Sequence, residues 1–317
     1  MRPYFPQPEH VVAYAVNFIN AMFFKFPYVK TNFWVIIFFV GILALLVMVY
    51  QIRLIVLDRL FVYFPTKDAS ASYDYSQLAE KYEEIFFETR DGLILHGVFL
   101  EGQSNLTVIL FHGNAGNIGD RLEYISLMSS EIGVNVFLFD YRGYGLSQGT
   151  PSEFGLYMDA QAAVDLVLAR MNSMSGEDSK IILFGRSLGS SVALKMAGMY
   201  QPSSVIIEAP FTSITDLSRK TYPYIPAFVI KNLIRARYES SSMVADISCP
   251  LMVIHGDQDS IVPIGMGKHI YDLATVEKDF YKVERAGHND TYIVAGSEYF
   301  GRIGAFIESK SEKSQFE

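Results

Sequence analysis

Six short segments that are apolar on both faces recur along this chain, and they constrain its fold more than any other feature. They are rich in Val, Ile, Leu and Phe and span Leu106–His112, Val134–Asp140, Lys180–Phe184, Ser204–Glu208, Leu251–His255 and Asp279–Glu284. Strands with this composition belong to parallel sheets that are covered on both faces. Two earlier segments, Tyr82–Thr89 and Leu93–Glu101, flank the turn signal Asp91–Gly92 and predict an antiparallel hairpin.

Helical patterns fill the intervals between these strands. They cover Gly119–Ile132, Ser152–Asn172, Leu188–Met199, Ile264–Ala274 and Gly296–Glu308. Regular alternation of strand and helix predicts an α/β domain over residues 81–310, built on a mostly parallel, doubly wound sheet. The interval Pro210–Ser248 is too long for a plain crossover and is rich in Tyr, Phe and Pro. We therefore expect a small helical lid or substrate wall at residues 210–248.

The first part of the chain has a different composition from the rest. No charged residue occurs in the 22 residues from Thr31 to Ile52. A helix of that length reaches roughly 33 Å, which is enough to cross the hydrocarbon core of a bilayer. The sequence therefore predicts a transmembrane helix at about residues 32–52, retained as a signal-anchor. The alternatives are a buried core helix, which rarely lacks all charges over such a length, and a cleaved signal peptide, whose apolar stretch starts closer to Met1.

Residues 9–26 repeat apolar side chains at helical spacing, and the pattern ends at Pro27. It predicts an amphipathic helix on the membrane surface, or else a helix packed on the body. On this interpretation residues 1–60 form a membrane anchor, residues 61–80 a linker and residues 311–317 a tail. Equal numbers of basic residues flank the two ends of the apolar segment, so the positive-inside rule does not orient it.

The charge distribution excludes some classes of function. Residues 1–60 carry five basic and two acidic side chains, and the remainder carries 21 basic and 32 acidic ones, so the body is strongly acidic. An acidic body is a poor nucleic-acid binder, because phosphate contacts need clustered Lys and Arg. Cys249 is the only cysteine, which excludes an intrachain disulfide and a cysteine zinc site. The spacing of the histidines matches no metal motif, so we expect no metal and no cofactor.

A serine between glycines follows one of the predicted strands. The segment Gly185–Gly189 reads G-R-S-L-G and lies directly between Lys180–Phe184 and a predicted helix. A sharp strand-to-helix turn needs small neighbours, and it lifts the serine hydroxyl above the sheet at the N-terminus of the helix. The motif alone is weak, but this context makes Ser187 the candidate nucleophile. The alternative is a glycine-rich connection with an idle serine.

A serine nucleophile needs a general base and an acid that orients the base. The histidines of the chain are His10, His96, His112, His255, His269 and His288. His288 lies in a polar loop after the last predicted strand, where the chain order serine, acid, histidine requires the base. The acid must follow the strand Leu251–His255. We choose Asp259, which is two residues farther from that strand than the alternative, Asp257.

Backbone N–H groups complete the predicted site. The segment His112–Asn117 reads H-G-N-A-G-N, follows a strand and opens a helix. N–H groups in such a loop can point at a developing alkoxide. We expect the N–H of Leu188 to supply one donor of this oxyanion hole and that of Asn114 the other, with Ala115 as the alternative. The spacing of the glycines fits neither phosphate-binding loop pattern.

Three further motifs have no part in the predicted catalytic site. The segment Asp140–Ser147 is rich in glycine, and we interpret it as architecture with Arg142 as an ion-pair partner; a substrate contact is the alternative. Glycosylation sequons begin at Asn105 and at Asn289. The first opens a predicted strand and the second adjoins His288, so both are awkward acceptors.

Four motifs carry a family resemblance: His112–Asn117 (HGNAGN), Asp140–Ser147 (DYRGYGLS), Gly185–Gly189 (GRSLG) and Gly287–Thr291 (GHNDT). They resemble motifs of the α/β-hydrolase superfamily. With its N-terminal apolar segment, the chain looks like the single-pass membrane serine hydrolases of that superfamily over about residues 55–310. The resemblance implies an α/β-hydrolase fold with Ser187, Asp259 and His288 as charge-relay residues. It also implies a type II topology with a cytosolic N-terminus. Ser190–Ser191 stands where a further glycine is often found, which leaves open how closely the helix approaches the sheet.

Together these expectations define one function, a membrane-anchored serine hydrolase that cleaves an acyl ester or thioester through an acyl-enzyme intermediate. The expected partners are the lipid bilayer and an acyl-lipid or acylated-protein substrate, and no nucleic acid. The alternatives are a serine peptidase or amidase of the same fold and a catalytically silent binding scaffold. The presence of every part of the predicted site argues against the scaffold.

Overall fold

A computed structural model gives the fold of the chain. It describes residues 27–67, 73–78, 81–174 and 180–313. The amphipathic helix predicted at residues 9–26 and residues 314–317 of the predicted tail lie outside the described residues. The chain divides into two compact units, Met1–Val56 and Leu57–Glu317.

Helix α1 (Pro27–Phe61) forms the described part of the first unit, and its last residues belong to the second. It is longer than the predicted span at residues 32–52, because the segment that follows, RLIVLDRLF, contains no Gly or Pro that would end a helix. The stretch Phe33–Phe61 has 29 residues and contains an 18-residue window with a mean hydropathy of 2.8, so by length and composition it could cross a membrane. The side chains from Phe33 to Gln51 are exposed.

The second unit is built on a central sheet. In chain order its strands are β1 (Phe64–Pro65), β2 (Tyr82–Glu88), β3 (Ile94–Leu100), β4 (Leu106–Phe111), β5 (Ala115–Gly116), β6 (Asn135–Phe139), β7 (Lys180–Arg186), β8 (Ser204–Glu208), β9 (Leu251–Gly256) and β10 (Lys278–Val283). The main sheet has the order β10-β9-β8-β7-β4-β6-β3-β2, and β1 pairs with β5 separately. The pairs β2–β3 and β3–β6 are antiparallel and the other neighbours are parallel. The predicted hairpin and the mostly parallel sheet are therefore confirmed.

Helices connect the strands as the sequence predicts. They are α2 (Leu122–Ile132), α3 (Glu153–Met174), α4 (Leu188–Tyr200), α5 (Ile214–Thr221), α6 (Ala227–Leu233), α7 (Ser240–Met243), α8 (Ile264–Leu273), α9 (Thr291–Ala295) and α10 (Ser297–Lys313). Helix α10 extends the predicted helix Gly296–Glu308 to Lys313, and the short helix α9 before it is an addition; Gly296, with a φ of +57°, separates the two. Helices α5, α6 and α7 lie in the long interval between β8 and β9.

Apolar residues cover both faces of the sheet. Along β4, Ile109 and Phe111 belong to one buried cluster, and Val108 and Leu110 belong to the other. Successive side chains of a strand point to opposite faces, so a strand that is buried on both sides must be apolar throughout. This is the physical reason for the short, continuous apolar segments in the sequence.

The segment predicted as a linker, residues 61–80, partly joins the body. Phe64 donates its N–H to the carbonyl oxygen of Asn114 at 2.8 Å, and the hydroxyl of Tyr73 donates to Asp140 at 2.9 Å. In the last turn of α1, the buried carboxylate of Asp58 accepts the N–H of Arg235 at 2.6 Å. The backbone near residues 58–66 is thus held by long-range hydrogen bonds, which local composition does not reveal.

Two glycines allow α4 to approach the sheet closely. A Cβ built on Gly189 would lie 1.9 Å from the carbonyl oxygen of Phe111, and one on Gly185 would lie 2.2 Å from that of Gly189. Ser190 and Ser191 do not prevent this approach, because both are fully buried and hydrogen-bonded. Ser190 Oγ donates to the carbonyl oxygen of Gly185 at 2.9 Å, and the Oγ of Ser191 lies 2.6 Å from a serine hydroxyl of α7.

Gly189→Ala should destabilise the protein strongly, because the new methyl group would overlap the backbone of β4. We expect a loss of about 3 kcal/mol or more in the free energy of unfolding. Gly301→Ala in α10 is the matched control, since a Cβ there meets nothing within 4 Å. Alanine is the better helix former, so the control should be neutral or stabilising by up to about 1 kcal/mol. Urea denaturation followed by circular dichroism measures both, and equal stability of the two variants would contradict the close approach.

Candidate active site

Ser187 lies in the turn between β7 and α4. Its backbone has φ 53° and ψ −114°, a conformation that a non-glycine residue keeps only where the surrounding structure imposes it. Its N–H donates to the carbonyl oxygen of Glu208 at 2.8 Å. Because Ser187 is the N-cap of α4, it lies at the positive end of a helix dipole, where negative charge is stabilised.

Asp259 and His288 lie on two loops at one edge of the sheet. Asp259 follows β9, and His288 follows β10, which runs parallel to β9. Oδ2 of Asp259 is 2.6 Å from Nδ1 of His288. Oδ1 of Asp259 accepts the N–H groups of Ile261 and Val262 at 2.9 and 2.8 Å. Both carboxylate oxygens are therefore held, and one of them orients the imidazole.

The protonation of this pair follows from its surroundings. Burial alone would raise the pKa of Asp259, but hydrogen bonds from His255 and His288 outweigh it and hold the pKa well below its ordinary value. The carboxylate is ionised at neutral pH and can only accept hydrogen bonds. The proton between the two groups therefore lies on Nδ1 of His288, which leaves Nε2 able to act as a general base.

Asp257, the alternative acid, is exposed and directed elsewhere. Its Oδ1 accepts the N–H of Arg285 at 2.7 Å, and its own N–H donates to the carbonyl oxygen of Val283. Arg285 has a φ of +64°, so this carboxylate stabilises a strained turn just before the loop of His288. The structure thus brings Asp259, and not Asp257, to His288.

The other histidines are unsuited to act as the base. His112 and His255 are buried, and each lies within hydrogen-bond distance of a backbone carbonyl oxygen, at 2.7 and 2.8 Å. Burial lowers the pKa of His112 well below its ordinary value. His96 lies 2.9 Å from a glutamate of β2, and burial lowers its pKa too. His269 is exposed on α8, and His10 lies outside the described residues.

The loop after β4 lies beside the serine. A Cβ built on Gly113 would be 3.7 Å from the Cβ of Ser187. The carbonyl oxygen of Asn114 accepts the hydroxyl of Tyr144 at 2.8 Å, which fixes the peptide that follows. The N–H groups of Asn114 and Leu188 have no acceptor in the described part of the chain. They are available to bind an oxyanion in the way that the sequence predicts.

Strand pairing and the carboxylate of Asp140 stabilise this loop. Ala115, the alternative donor, pairs with Phe64 in the short β1–β5 ladder. The carboxylate of Asp140 accepts the N–H of Ile118 at 3.0 Å and the hydroxyl of Tyr73 at 2.9 Å. Burial raises the pKa of Asp140 to about 7. The start of the segment Asp140–Ser147 therefore supports the loop rather than the substrate.

Arg142 has the structural role predicted for it. Its guanidinium contacts Asp91 at 2.9 Å and Asp159 at 2.8 Å. Burial raises the pKa of Asp159 to about 6, although the positive charge of Arg142 opposes this rise. The two ion pairs tie the loop after β6 to the β2–β3 hairpin turn and to α3.

A cavity of about 400 Å³ is lined by four of the five predicted site residues, and the fifth, Asp259, contacts His288. Ser187, Leu188, Asn114 and His288 all line it. Within the described residues, Ser187 and His288 do not hydrogen-bond each other; such bonds commonly tighten only when substrate binds. The apolar part of the wall includes Phe61, Val62, Phe211, Ile214, Leu217, Tyr222, Ile261 and Val262.

Sequence patterns do not identify Arg186 and Glu208 as parts of the site. Nη2 of Arg186 donates to the carbonyl oxygen of His288 at 2.9 Å, and its Nε lies 3.6 Å from Oε1 of Glu208. Glu208 in turn accepts the hydroxyls of Thr291 and Tyr299. This network fixes the loop of His288 relative to β7. One sequence feature could have identified both residues: each is a charged residue at the carboxyl end of an otherwise apolar parallel strand. Ligands bind at that end of a parallel sheet.

Known proteins resemble this chain in sequence. Residues 102–229 match the profile of a hydrolase family described as Serine aminopeptidase, S33. The alpha/beta hydrolase domain-containing protein WAV2 of Arabidopsis thaliana is 32% identical over 254 residues, which cover 74% of this chain and 82% of WAV2. Protein bem46 of Schizosaccharomyces pombe is 33% identical over 235 residues, which cover 72% of this chain and 77% of bem46.

The fold is also that of a solved enzyme. An esterase of Pyrococcus furiosus superposes with a TM-score of 0.61 over 78% of this chain and 97% of the esterase, at 22% identity. That likeness shows an α/β-hydrolase fold. Given the relatives above 30% identity, the chain belongs to the α/β-hydrolase family, as the motifs predict. Hydrolase chemistry is the activity that this membership supports.

Asp259→Asn should lower kcat by at least ~10²-fold, because the amide would favour the histidine tautomer with the proton on Nε2. Asp257→Asn is the matched control: it removes the same charge two residues away and should change kcat far less. Turnover of a chromogenic ester by both purified variants measures the difference. If Asp257→Asn is the more damaging change, Asp259 is not the acid.

Proposed function

We propose that this protein is a membrane-anchored serine hydrolase that cleaves acyl esters or thioesters. The proposal is carried by the 2.6 Å contact between Asp259 and His288, together with the cavity that both His288 and Ser187 line. A held carboxylate, an oriented imidazole and a strained serine at a helix N-terminus are the arrangement that acyl transfer needs.

In the proposed reaction, Nε2 of His288 takes the proton of Ser187 while Oγ bonds to the carbonyl carbon of the substrate. The N–H groups of Leu188 and Asn114 stabilise the resulting oxyanion. As the carbon–oxygen or carbon–sulfur bond breaks, the leaving alcohol or thiol takes the proton from His288. Water then attacks the acyl-enzyme by the same route, which releases the acid and restores Ser187. Asp259 remains ionised and stabilises the imidazolium.

An acyl chain from a membrane is the substrate that the cavity wall favours. Phe61 is the last residue of α1 and Val62 follows it, and both line the cavity. In this proposal residues 32–52 are the transmembrane anchor, so Phe61 and Val62 follow the anchor closely in sequence. The proposed substrate is therefore an acyl lipid or a lipid-modified protein.

In this proposal, residues 210–248 form a lid beside the cavity. Ile214 and Leu217 of α5 line the cavity. Tyr224, between α5 and α6, is 95% exposed, and Phe228, at the start of α6, is 67% exposed. Aromatic side chains with this exposure are well suited to a membrane interface, where their rings can insert among lipid headgroups.

The orientation is part of the same proposal. We take the N-terminus as cytosolic and the body as lying beyond the membrane, the type II topology implied by the family resemblance. The sequon at Asn289 is unsuited to carry a glycan in the folded protein, because Thr291 is buried and bonded to Glu208 and Asn289 lines the cavity. Asn105 is exposed and is the better acceptor.

A peptidase is the second candidate, because the matching family profile is described as a serine aminopeptidase. An aminopeptidase must bind a free α-amino group, which is a cation and calls for a carboxylate nearby. In the described part of the chain, the cavity lining includes Arg121 and Arg186 but no Asp or Glu. The charge of the cavity therefore favours an ester over a peptide with a free N-terminus.

Ser187→Ala should abolish labelling by a fluorophosphonate probe and lower kcat by at least ~10³-fold. The reason is that no other hydroxyl lies on the strained turn above the sheet. Thermal unfolding should change little, because the substitution removes one oxygen and leaves the backbone turn in place. Labelling that persists undiminished in the variant would exclude Ser187 as the nucleophile.

Turnover by unlabelled protein separates the two candidates. Wild-type enzyme should turn over p-nitrophenyl esters far better than aminoacyl p-nitroanilides. A clear preference for the anilides would replace the esterase by the aminopeptidase while leaving the nucleophile unchanged.

Removing residues 1–56 should release a soluble domain that still turns over esters, because Asp58 and the cavity wall remain. Removing residues 1–62 should yield unstable or inactive protein, since it deletes Asp58, Phe61 and Val62. Carbonate extraction of membranes and ester turnover measure both truncations against the full chain. A folded but inactive protein lacking residues 1–56 would mean that the anchor helps to build the site.

Protease treatment of sealed microsomes tests the orientation of the anchored full chain. A C-terminal epitope should survive without detergent and disappear with it. Digestion without detergent would place the body in the cytosol and leave the chemistry intact.

A further inference from the structure

Two arginines line the cavity beside Ser187, and within the described residues their hydrogen bonds go to carbonyl and amide oxygens, with each nearest carboxylate in a longer ion pair. Nε of Arg186 is 3.6 Å from Oε1 of Glu208. Nη1 of Arg121 is 3.9 Å from Oδ2 of Asp120, and that carboxylate is itself largely exposed. A partly buried positive charge is costly unless an opposite charge pairs with it.

Arg142 shows how this fold neutralises an arginine that has only a structural role. Its Nη1 and Nη2 donate to both oxygens of Asp91 at 2.9 and 3.0 Å, and its Nε donates to Asp159 at 2.9 Å. Two carboxylates thus surround one guanidinium. Each cavity arginine has a longer ion pair instead, at 3.6 Å for Arg186 and 3.9 Å for Arg121, so its positive charge beside Ser187 is less fully neutralised than that of Arg142.

Hydrogen-bond donors remain free on the cavity arginines. Arg186 uses Nη2 for the carbonyl oxygen of His288 and the side chain of Asn289, and its Nη1 has no acceptor among the described residues. Arg121 donates to the carbonyl oxygens of Ala115 and Asn117, which leaves further N–H groups of its five. Burial lowers the pKa of Arg121; the charges of Asp140 and Asp120 oppose this, and the charge of Arg186 adds to it. An anion between the two side chains would relieve that repulsion.

We propose that Arg121 and Arg186 form a subsite for an anionic group, a phosphate or a carboxylate, carried by the alcohol part of the ester. The inference rests on the proposed function and narrows its substrate class. The apolar wall suits the acyl chain, which leaves the alcohol part to meet the cationic part of the cavity. Guanidinium groups bind phosphate and carboxylate oxygens through charge-assisted hydrogen bonds, often in pairs.

Matched substrates test the subsite. We compare 1-octanoylglycerol with 1-octanoylglycerol 3-phosphate, which differ only in the phosphate, and add the octanoyl ester of 3-hydroxypropionate as the carboxylate counterpart. Full-length enzyme in a nonionic detergent should prefer at least one anionic ester to the neutral one by roughly tenfold in kcat/KM. Whichever anionic ester is preferred identifies the group as phosphate or carboxylate.

The substitutions Arg121→Gln and Arg186→Gln should each lower this preference by about tenfold. The ratio of the two substrates is compared within each variant, because both arginines also support backbone loops and their loss can reduce all turnover. Arg302→Gln removes an exposed arginine of α10 and should leave the ratio at the wild-type value. An anionic-to-neutral ratio of one or less in wild type, or a ratio that neither cavity substitution alters, overturns the subsite.

A binding measurement separates this inference from the proposed function. Octyl phosphate and octanoate are compared with 1-octanol for the rise in Tm that each causes in the full chain. An anionic ligand should stabilise wild type more than octanol does, and Arg186→Gln should lose the difference. If the protein turns over no ester but shows this shift, the proposed function fails and the anion site stands. If it turns over esters but shows neither the shift nor the substrate preference, only the anion site fails.

Discussion

The close approach of α4 to β4 is the constraint on which the candidate site depends. Gly189 lies against the carbonyl oxygen of Phe111, and two residues before it Ser187 takes a positive φ. Such a conformation costs about 1–3 kcal/mol. Ser190 offsets part of that cost, since its buried hydroxyl lies 2.9 Å from the carbonyl oxygens of Gly185 and Glu208. Packing therefore positions the serine before any substrate arrives.

Three buried aspartates lie at or near the carboxyl end of the sheet. Their pKa values differ because their hydrogen-bond partners and neighbouring charges differ. Asp140 receives hydrogen bonds from a hydroxyl and a peptide N–H, and burial still raises its pKa to about 7. Asp159 faces an arginine, and burial raises its pKa to about 6. Asp259 combines two backbone N–H groups with two imidazoles, and its pKa falls below its ordinary value. Among these three, only Asp259 is both firmly ionised and in contact with His288, so it alone can set the tautomer of a base.

Local patterns made much of this fold predictable. The apolar strands, the hairpin at Asp91–Gly92 and the glycines around Ser187 each follow from residues that are adjacent in sequence. Features that depend on distant partners were not predictable. The uncharged segment ends at Ile52, yet α1 continues, and its last turn is held by the contact of Asp58 with Arg235, 177 residues later. The link from Arg186 to the loop of His288 spans 102 residues and has no local signature either.

The contact of Asp58 also explains how the proposed lid is attached. A carboxylate in the last turn of a helix is unfavourable, because the C-terminal end of the helix dipole is negative. Asp58 nevertheless lies there, buried, since it accepts the N–H groups of Arg235 and Ala236 just after α6. Glu153 of α3 accepts the next two N–H groups in the same way. Residues 235–238 of the proposed lid are therefore fixed by two carboxylates, one from α1 and one from α3.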